Sequence, residues 1–141
     1  MYKREVFEIL EEFEKATNKA KRKEVLLKYS EVNALLDILR GTFDDALVFT
    51  LPKGRPPFTP NLPESVPSSL HKKHRDFGYF VKGAVADSAP AWKRERKFIE
   101  MLESIHPADA ELVLSMVEKK SPVKFLTKKL VQEAFPKLIT S

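Results

Sequence analysis

Two pairs of side chains in the sequence have the residue types that metal or acid–base chemistry requires. His71 and His74 lie three residues apart and could share a helix face, with Asp76 nearby, but no fourth ligand follows, so a zinc site there is incomplete. Asp44 and Asp45 are adjacent, and adjacent positions on a helix do not face each other. The pattern therefore favours acids at a helix N-terminus, where the helix dipole stabilises them, over a catalytic or metal-binding pair.

Catalytic motifs are missing from the sequence. It has no G-x-x-x-x-G-K-[ST] or G-x-G-x-x-G phosphate loop, no G-x-S-x-G nucleophile elbow, and only 4 glycines with which to build a loop of this kind. It has no cysteine, which excludes disulfides, thiolate metal sites and a cysteine nucleophile. We therefore predict a protein that is not an enzyme, with no metal, no cofactor and no small-molecule substrate.

Positive charge is the remaining chemical feature, and it is densest in residues 119–139. That stretch holds six lysines and a single acidic residue, Glu133. Its apolar residues are spaced to form one face of a helix: Leu126, Leu130, Val131, Ala134 and Phe135. Such an element packs on a core with one side and presents ammonium groups with the other. The net charge of +5 agrees with a polyanionic partner.

Three further groups of cations occur in the second predicted helix, in a proline-rich loop and on the outer face of a later helix. They are Lys19, Lys21, Arg22 and Lys23; Lys53 and Arg55; and Arg94 and Lys97. Each helical group has two interpretations, a phosphate contact or an ordinary solvated face. The loop pair is either a phosphate-contacting tip or part of a plain linker.

Hydrophobic periodicity predicts the elements that position these charges. Helices are expected over residues 5–16, 19–29, 31–40, 42–47 and 106–120. A further helix is expected after a cap at Asp87 or Ser88, with Pro90 in its first turn, and continues to about Ile105. Ser30 is the expected N-cap of the third helix and Gly41 its C-cap. Thr42 and Asp45 resemble a capping box that would open the fourth helix.

Two arrangements are open at the C-terminus. Either a helix runs from Ser121 to Phe135, or a turn intervenes and Thr127 caps a shorter helix. Both arrangements end at Pro136 and give a basic helix–turn–helix over residues 119–139.

Length and composition predict a single domain over residues 1–141. With 141 residues, 43% of them hydrophobic, the chain is long enough to bury a core. Residues 52–67 hold six of the ten prolines and predict a long irregular loop. The expected fold is therefore all-α and compact, with about six to eight helices and this Pro-rich loop. A charged N-terminus and the lack of a long apolar run predict a cytoplasmic protein with no membrane partner.

The order of segments along the chain resembles a known family. V-F-E-I-L-E-E-F opens the chain, L-L-K-Y ends the second predicted helix, and N-A-L-L-D-I-L-R-G-T-F precedes L-V-F-T-L-P. F-I-E-M-L-E-S-I and A-E-L-V-L-S-M-V-E-K-K follow, and L-V-Q-E-A-F-P-K-L-I closes the chain. From about Val6 to Ile139, this set resembles the N-terminal, all-helical DNA-binding domain of ATP-dependent DNA ligases of the T-even bacteriophage type.

The resemblance implies a DNA-binding surface. In that family the domain holds duplex DNA across the minor groove, mainly through phosphates and sugars, and helps to encircle a nick. The segment before the last helix is one of its DNA-facing turns. The residues that this places at the DNA backbone are Lys119, Lys120, Lys124, Thr127, Lys128 and Lys129. The other members of the predicted site are Lys53, Arg55, Arg94 and Lys97.

Two features depart from the family. Its turn usually has small residues, often glycine, where this chain has Lys124-Phe125-Leu126, so we expect side-chain contact with DNA instead of close backbone approach. The K-x-D-G lysine of ligase chemistry is missing. The chain therefore resembles a stand-alone, phage-encoded copy of the module, acting in the host cytoplasm.

We expect a non-catalytic, sequence-independent protein that binds double-stranded or nicked DNA in phage replication, repair or recombination. The alternative is a protein-interaction module on the same scaffold that no longer binds DNA. Its partner would be a replication or transcription protein, such as a sliding clamp or a host polymerase, or another viral protein.

Overall fold

Helices account for the regular secondary structure of the described residues. The computed structural model describes residues 4–51, 56–62, 64–81 and 90–139. Within these ranges lie seven α-helices, one 3-10 helix and no strand, apart from an isolated antiparallel bridge between Phe49 and Val81. The elements are α1 (Val6–Lys15), α2 (Lys19–Lys28), α3 (Asn33–Phe43), α4 (Leu70–Lys73), the 3-10 helix (His74–Phe80), α5 (Ala91–Leu102), α6 (Pro107–Val117) and α7 (Lys128–Ala134). The prediction of an all-α, multi-helix fold is confirmed.

The first two helices are stabilised in different ways. α1 is amphipathic and buries four apolar side chains between Val6 and Phe13, at the spacing of one helical face. α2 begins at Asn18, whose side-chain oxygen accepts a hydrogen bond from the Lys21 N–H at 2.9 Å. Only Leu26 of α2 is buried. Packing against α1 and α7 therefore has to hold this polar helix in place.

The core lies between α3 and α6, with α1 packed against α6 and α2. Gly41 in α3 allows this close approach, because a Cβ at that position would lie 2.5 Å from the Met116 sulfur in α6. α5 packs on α6 and on the 3-10 helix, where the rings of Phe80 and Phe98 meet edge to face at 5.3 Å between centroids. The aromatic residues of the 3-10 helix thus belong largely to the core.

Both ends of α3 differ from the prediction. The helix begins after Val32, not at a Ser30 cap, and continues through Gly41 and Thr42 to Phe43. The Thr42 hydroxyl donates to the Ile38 carbonyl at 2.7 Å, so it cannot cap a following helix. The predicted short helix over residues 42–47 is therefore wrong, and tertiary packing of Gly41 explains why the helix does not stop there.

The described part of the proline-rich loop, residues 56–62 and 64–67, has no regular secondary structure. It is fastened to the end of α5 by the Asn61 side-chain amide, which donates to the carbonyls of Glu103 and Ile105 at 2.7 and 2.8 Å. The Thr59 N–H adds a bond to the Glu103 carboxylate at 2.8 Å. In the described ranges, none of the helices is both long and apolar enough to cross a membrane.

The start of α6 is tied to the start of α1. His106 Nδ1 accepts a hydrogen bond from the Ala108 N–H at 3.0 Å, and its ring stacks on Phe7 at 4.2 Å. The buried Asp109 carboxylate accepts a bond from the Phe7 N–H at 2.9 Å. Burial raises the pKa of Asp109 to about 8; the Phe7 bond opposes this shift, and the nearby Glu5 carboxylate adds to it.

We predict that the contribution of Asp109 lowers the free energy of unfolding as the pH rises from about 4 to about 8. In this interval folded Asp109 keeps a proton that the unfolded chain releases, so the slope is at most about 1.4 kcal/mol per pH unit. Urea unfolding at several pH values would measure it. Asp109→Asn should flatten the dependence, while Glu100→Gln, at an exposed position on α5, should not. Equal slopes in Asp109→Asn and the wild type would contradict this assignment.

Candidate nucleic-acid interface

Cations of α2 and α7 lie on one surface. Lys19 Nζ on α2 lies 3.2 Å from the Glu133 carboxylate on α7. The Lys19 hydrogen bond and the positive charges of Lys19, Lys23 and Lys129 lower the pKa of Glu133. Lys23 and Lys129 therefore lie close enough to act on the same carboxylate from opposite helices. Two basic segments that are distant in the sequence are neighbours in the fold.

The turn before α7 is stabilised by its own hydrogen bonds and by a buried side chain. The Ser121 hydroxyl bonds with the carbonyl of Leu126 at 2.7 Å and with that of Val123 at 3.0 Å, and the Leu126 side chain is buried. Thr127 caps α7, because its hydroxyl oxygen accepts a hydrogen bond from the Leu130 N–H at 3.2 Å. Of the two predicted arrangements, the shorter helix is confirmed and a helix starting at Ser121 is wrong.

Phe125 at this turn contacts α2 directly. The Arg22 guanidinium carbon lies 3.7 Å from the centre of the Phe125 ring, and 53% of Phe125 is exposed. The neighbouring Lys124 is exposed, and its N–H donates to the Glu14 carboxylate at 3.1 Å. We name the whole group the α2–α7 surface. Its members are Lys19, Arg22, Lys23, Lys124, Phe125 and Lys129.

The other predicted residues near the turn have contacts within the fold. Lys128 Nζ lies 3.3 Å from the Asp45 carboxylate. Lys120 is exposed and lies 3.4 Å from the Glu118 carboxylate. The Thr127 hydroxyl is occupied as the helix cap described above. None of these three positions adds an unpaired charge to the α2–α7 surface.

Lys119 ends α6 and fastens it to α3. It takes a positive φ of 61° at the position after the C-cap. The Lys119 and Lys120 N–H groups bond to the Met116 and Ser115 carbonyls, which is a Schellman motif. Lys119 Nζ then donates to the Gly41 and Asp44 carbonyls at 2.6 and 2.9 Å. Burial lowers the pKa of its ammonium, against the opposing charges of Asp45 and Asp44.

Arg94 and Lys97 lie in a different part of the fold. Their helix, α5, packs on α6 and the 3-10 helix, and Lys97 Nζ lies 4.7 Å from the centre of the Tyr79 ring. The structure therefore does not bring them together with the turn before α7. Lys53 and Arg55, also predicted as site residues, lie outside the described residues.

The two histidines have separate partners. His71 Nε2 lies 2.7 Å from the Arg4 carbonyl, and His74 Nδ1 lies 2.5 Å from the Asp37 carboxylate. In the ranges that the structure describes, no three His, Asp or Glu side chains are grouped to hold a metal ion.

The pairing of Phe125 with Arg22 is not apparent from the sequence. Arg22 is one of several cations on a predicted helix, and Phe125 is a bulky residue at a predicted turn. Their stacking depends on how α2 and α7 pack, and no spacing in the sequence signals it. The available cue is the bulk of Phe125 at a turn position.

The chain belongs to a family of unknown function (DUF6433), whose model matches residues 9–122. The match includes α2, whereas Lys124, Phe125 and α7 follow it. No curated protein and no solved structure matches the chain.

We predict that Lys119→Met lowers the free energy of unfolding by about 2 kcal/mol, because two charge-assisted hydrogen bonds to the end of α3 are lost. Thermal or urea unfolding followed by circular dichroism would measure the change. Lys120→Met is the matched control, since its exposed ammonium should contribute little. Equal stability of the two variants would show that the Lys119 bonds do not hold the helices together.

Proposed function

We propose that this protein is a non-catalytic, sequence-independent binder of double-stranded DNA, and that the α2–α7 surface contacts the phosphate backbone. The observation that carries the proposal is the convergence of two basic segments, from α2 and from the turn before α7, on one surface. Phosphate contacts of this kind fix a protein on a duplex without reading its sequence.

The charges of this surface are available for a ligand. Lys23, Lys124 and Lys129 have no carboxylate at ion-pair distance within the described ranges, unlike Lys19 and Lys128. Lys129 and Lys124 are also exposed. A polyanion would therefore meet ammonium groups that are not engaged in ion pairs within the described ranges.

The resemblance to ligase DNA-binding domains supports the same surface. In that family the segment before the last helix faces DNA, and here that segment is the Ser121–Leu126 turn. On this basis we assign the protein to phage DNA replication, repair or recombination. Arg94 and Lys97 are left out of the proposed contact because α5 packs elsewhere.

Charge reversal of the surface tests the proposal. Lys23→Glu, Lys124→Glu and Lys129→Glu together should lower the affinity for a duplex more than tenfold and reduce the slope of log K against log salt by about 3, because each lysine neutralises about one phosphate. Fluorescence anisotropy over a salt series would measure both values. The control makes the same change at three exposed cations elsewhere, Lys72, Arg75 and Lys93.

Equal losses in the two triple variants would show that net charge, not this surface, governs binding. If the wild type binds no duplex at low salt, the proposal is wrong. The protein-interaction hypothesis would then remain.

We also predict that Glu133→Gln raises DNA affinity a few-fold. The change removes a negative charge from the surface and releases Lys19 from its ion pair, so one more ammonium can reach a phosphate. Anisotropy with the same duplex would show it. Glu100→Gln releases Arg96 from a similar exposed pair at 3.4 Å on α5 and should leave the affinity nearly unchanged. A weaker complex in Glu133→Gln would place DNA elsewhere.

A further inference from the structure

Phe125 has a backbone conformation that a bulky side chain rarely adopts. Its φ of 70° lies in the left-handed region that favours glycine. Lys119, with a φ of 61°, is the other such non-glycine residue in the described chain, and its helix cap and two side-chain bonds explain its conformation. Phe125 has no comparable explanation in core packing, because more than half of its surface is exposed. Strain of this kind is often found at binding sites.

The Phe125 ring is nevertheless held in a defined position. The Ser121 hydroxyl and the buried Leu126 fix the turn on either side of it. The Arg22 guanidinium stacks on the ring at 3.7 Å. Arg22 Nε is buried and has no hydrogen-bond partner among the described residues. The result is a supported aromatic ring that projects from a basic surface.

We propose that Phe125 is a stacking site for an unpaired nucleobase, so that the α2–α7 surface prefers duplex DNA with a base gap over intact duplex. This inference rests on the proposed function. Every base has a flat π-face that stacks on an aromatic ring, and such stacking is independent of sequence. Lys124 and Lys129 would bind the phosphates on either side of the base. In an intact duplex the base faces are covered by their neighbours, so the ring finds no partner.

Because Phe125 has a left-handed backbone conformation, its replacement by glycine can test ligand binding without loss of folding stability. Glycine adopts a φ of 70° without strain, so Phe125→Gly should keep or raise the melting temperature. The same change removes the ring. A protein of undiminished stability that has lost the preference for gaps would assign Phe125 to the ligand. Phe125→Tyr keeps an aromatic face and should retain the preference.

The experiment compares three labelled duplexes of equal length by fluorescence anisotropy at one salt concentration. One is intact, one has a one-nucleotide gap, and one has the same gap opposite an abasic residue. The third duplex keeps the gap and its flanking base pairs but has no unpaired base to stack. We expect the wild type to bind the gapped duplex roughly 5- to 160-fold more tightly than the other two, the range that one base–aromatic stack gives. Trp92→Ala, which removes an exposed aromatic ring on α5, is the control and should behave as the wild type.

Loss of the preference for the gapped duplex in Phe125→Gly, together with its retention in Phe125→Tyr, would support the stacking site. Equal preference for the gapped and the abasic duplex would overturn it, because flexibility alone would then explain the binding. The same holds if Phe125→Gly keeps the preference. Wild-type protein that binds all three duplexes equally would refute the stacking site while leaving the proposed DNA-binding function intact. Failure to bind any duplex would remove both.

Discussion

The contact between Lys119 and the end of α3 determines the direction in which the chain leaves α6 toward the candidate site. α6 packs along α3, and Lys119 both reverses the chain after α6 and donates to two carbonyls at the end of α3. Because these groups are fixed together, the turn that follows starts from a defined point on the core. Leu126 then enters the core and Thr127 starts α7, which brings α7 against α2. This anchor therefore acts together with the direct contacts of α7 on α2 to fix the two basic segments relative to each other.

The role of α2 follows from this arrangement. The helix is rich in lysine, has one fully buried side chain and has cations in its first turn, where the helix dipole disfavours them. Its own sequence therefore contributes little to its stability, and contacts with α1 and α7 must compensate. Lys28 illustrates this compensation, because a hydrogen bond and the charge of Glu12 on α1 raise the pKa of its ammonium. Positive charge that opposes folding and is retained on an exposed face is consistent with a surface for an anionic ligand.

The sequence predicted those features that depend on local periodicity. The apolar spacing of α1 and the proline at the start of α6 placed both helices correctly, and the closing basic segment was recognised as a short capped helix in one of two arrangements. Predictions failed where a distant contact decides the local structure. Gly41 was expected to end α3, but it lies inside the helix because it faces Met116. The same limit applies to Lys119, whose side-chain acceptors lie far away in the sequence.

The candidate site depends on packing between segments that are distant in the sequence. Two of these segments, α2 and the turn before α7, contribute different groups to it. Charge in α2 and in the last segment could be seen in the sequence, but their meeting could not, because the Arg22–Phe125 contact arises only when α7 docks on α2. The family match covers Arg22 but not Phe125. If the surface binds DNA as proposed, the part shared with the family model supplies general attraction for phosphates. The segment after it supplies an aromatic ring at a strained position, which is a more selective feature. Affinity and selectivity for DNA structure would then reside in separate segments that the packing of one short helix joins.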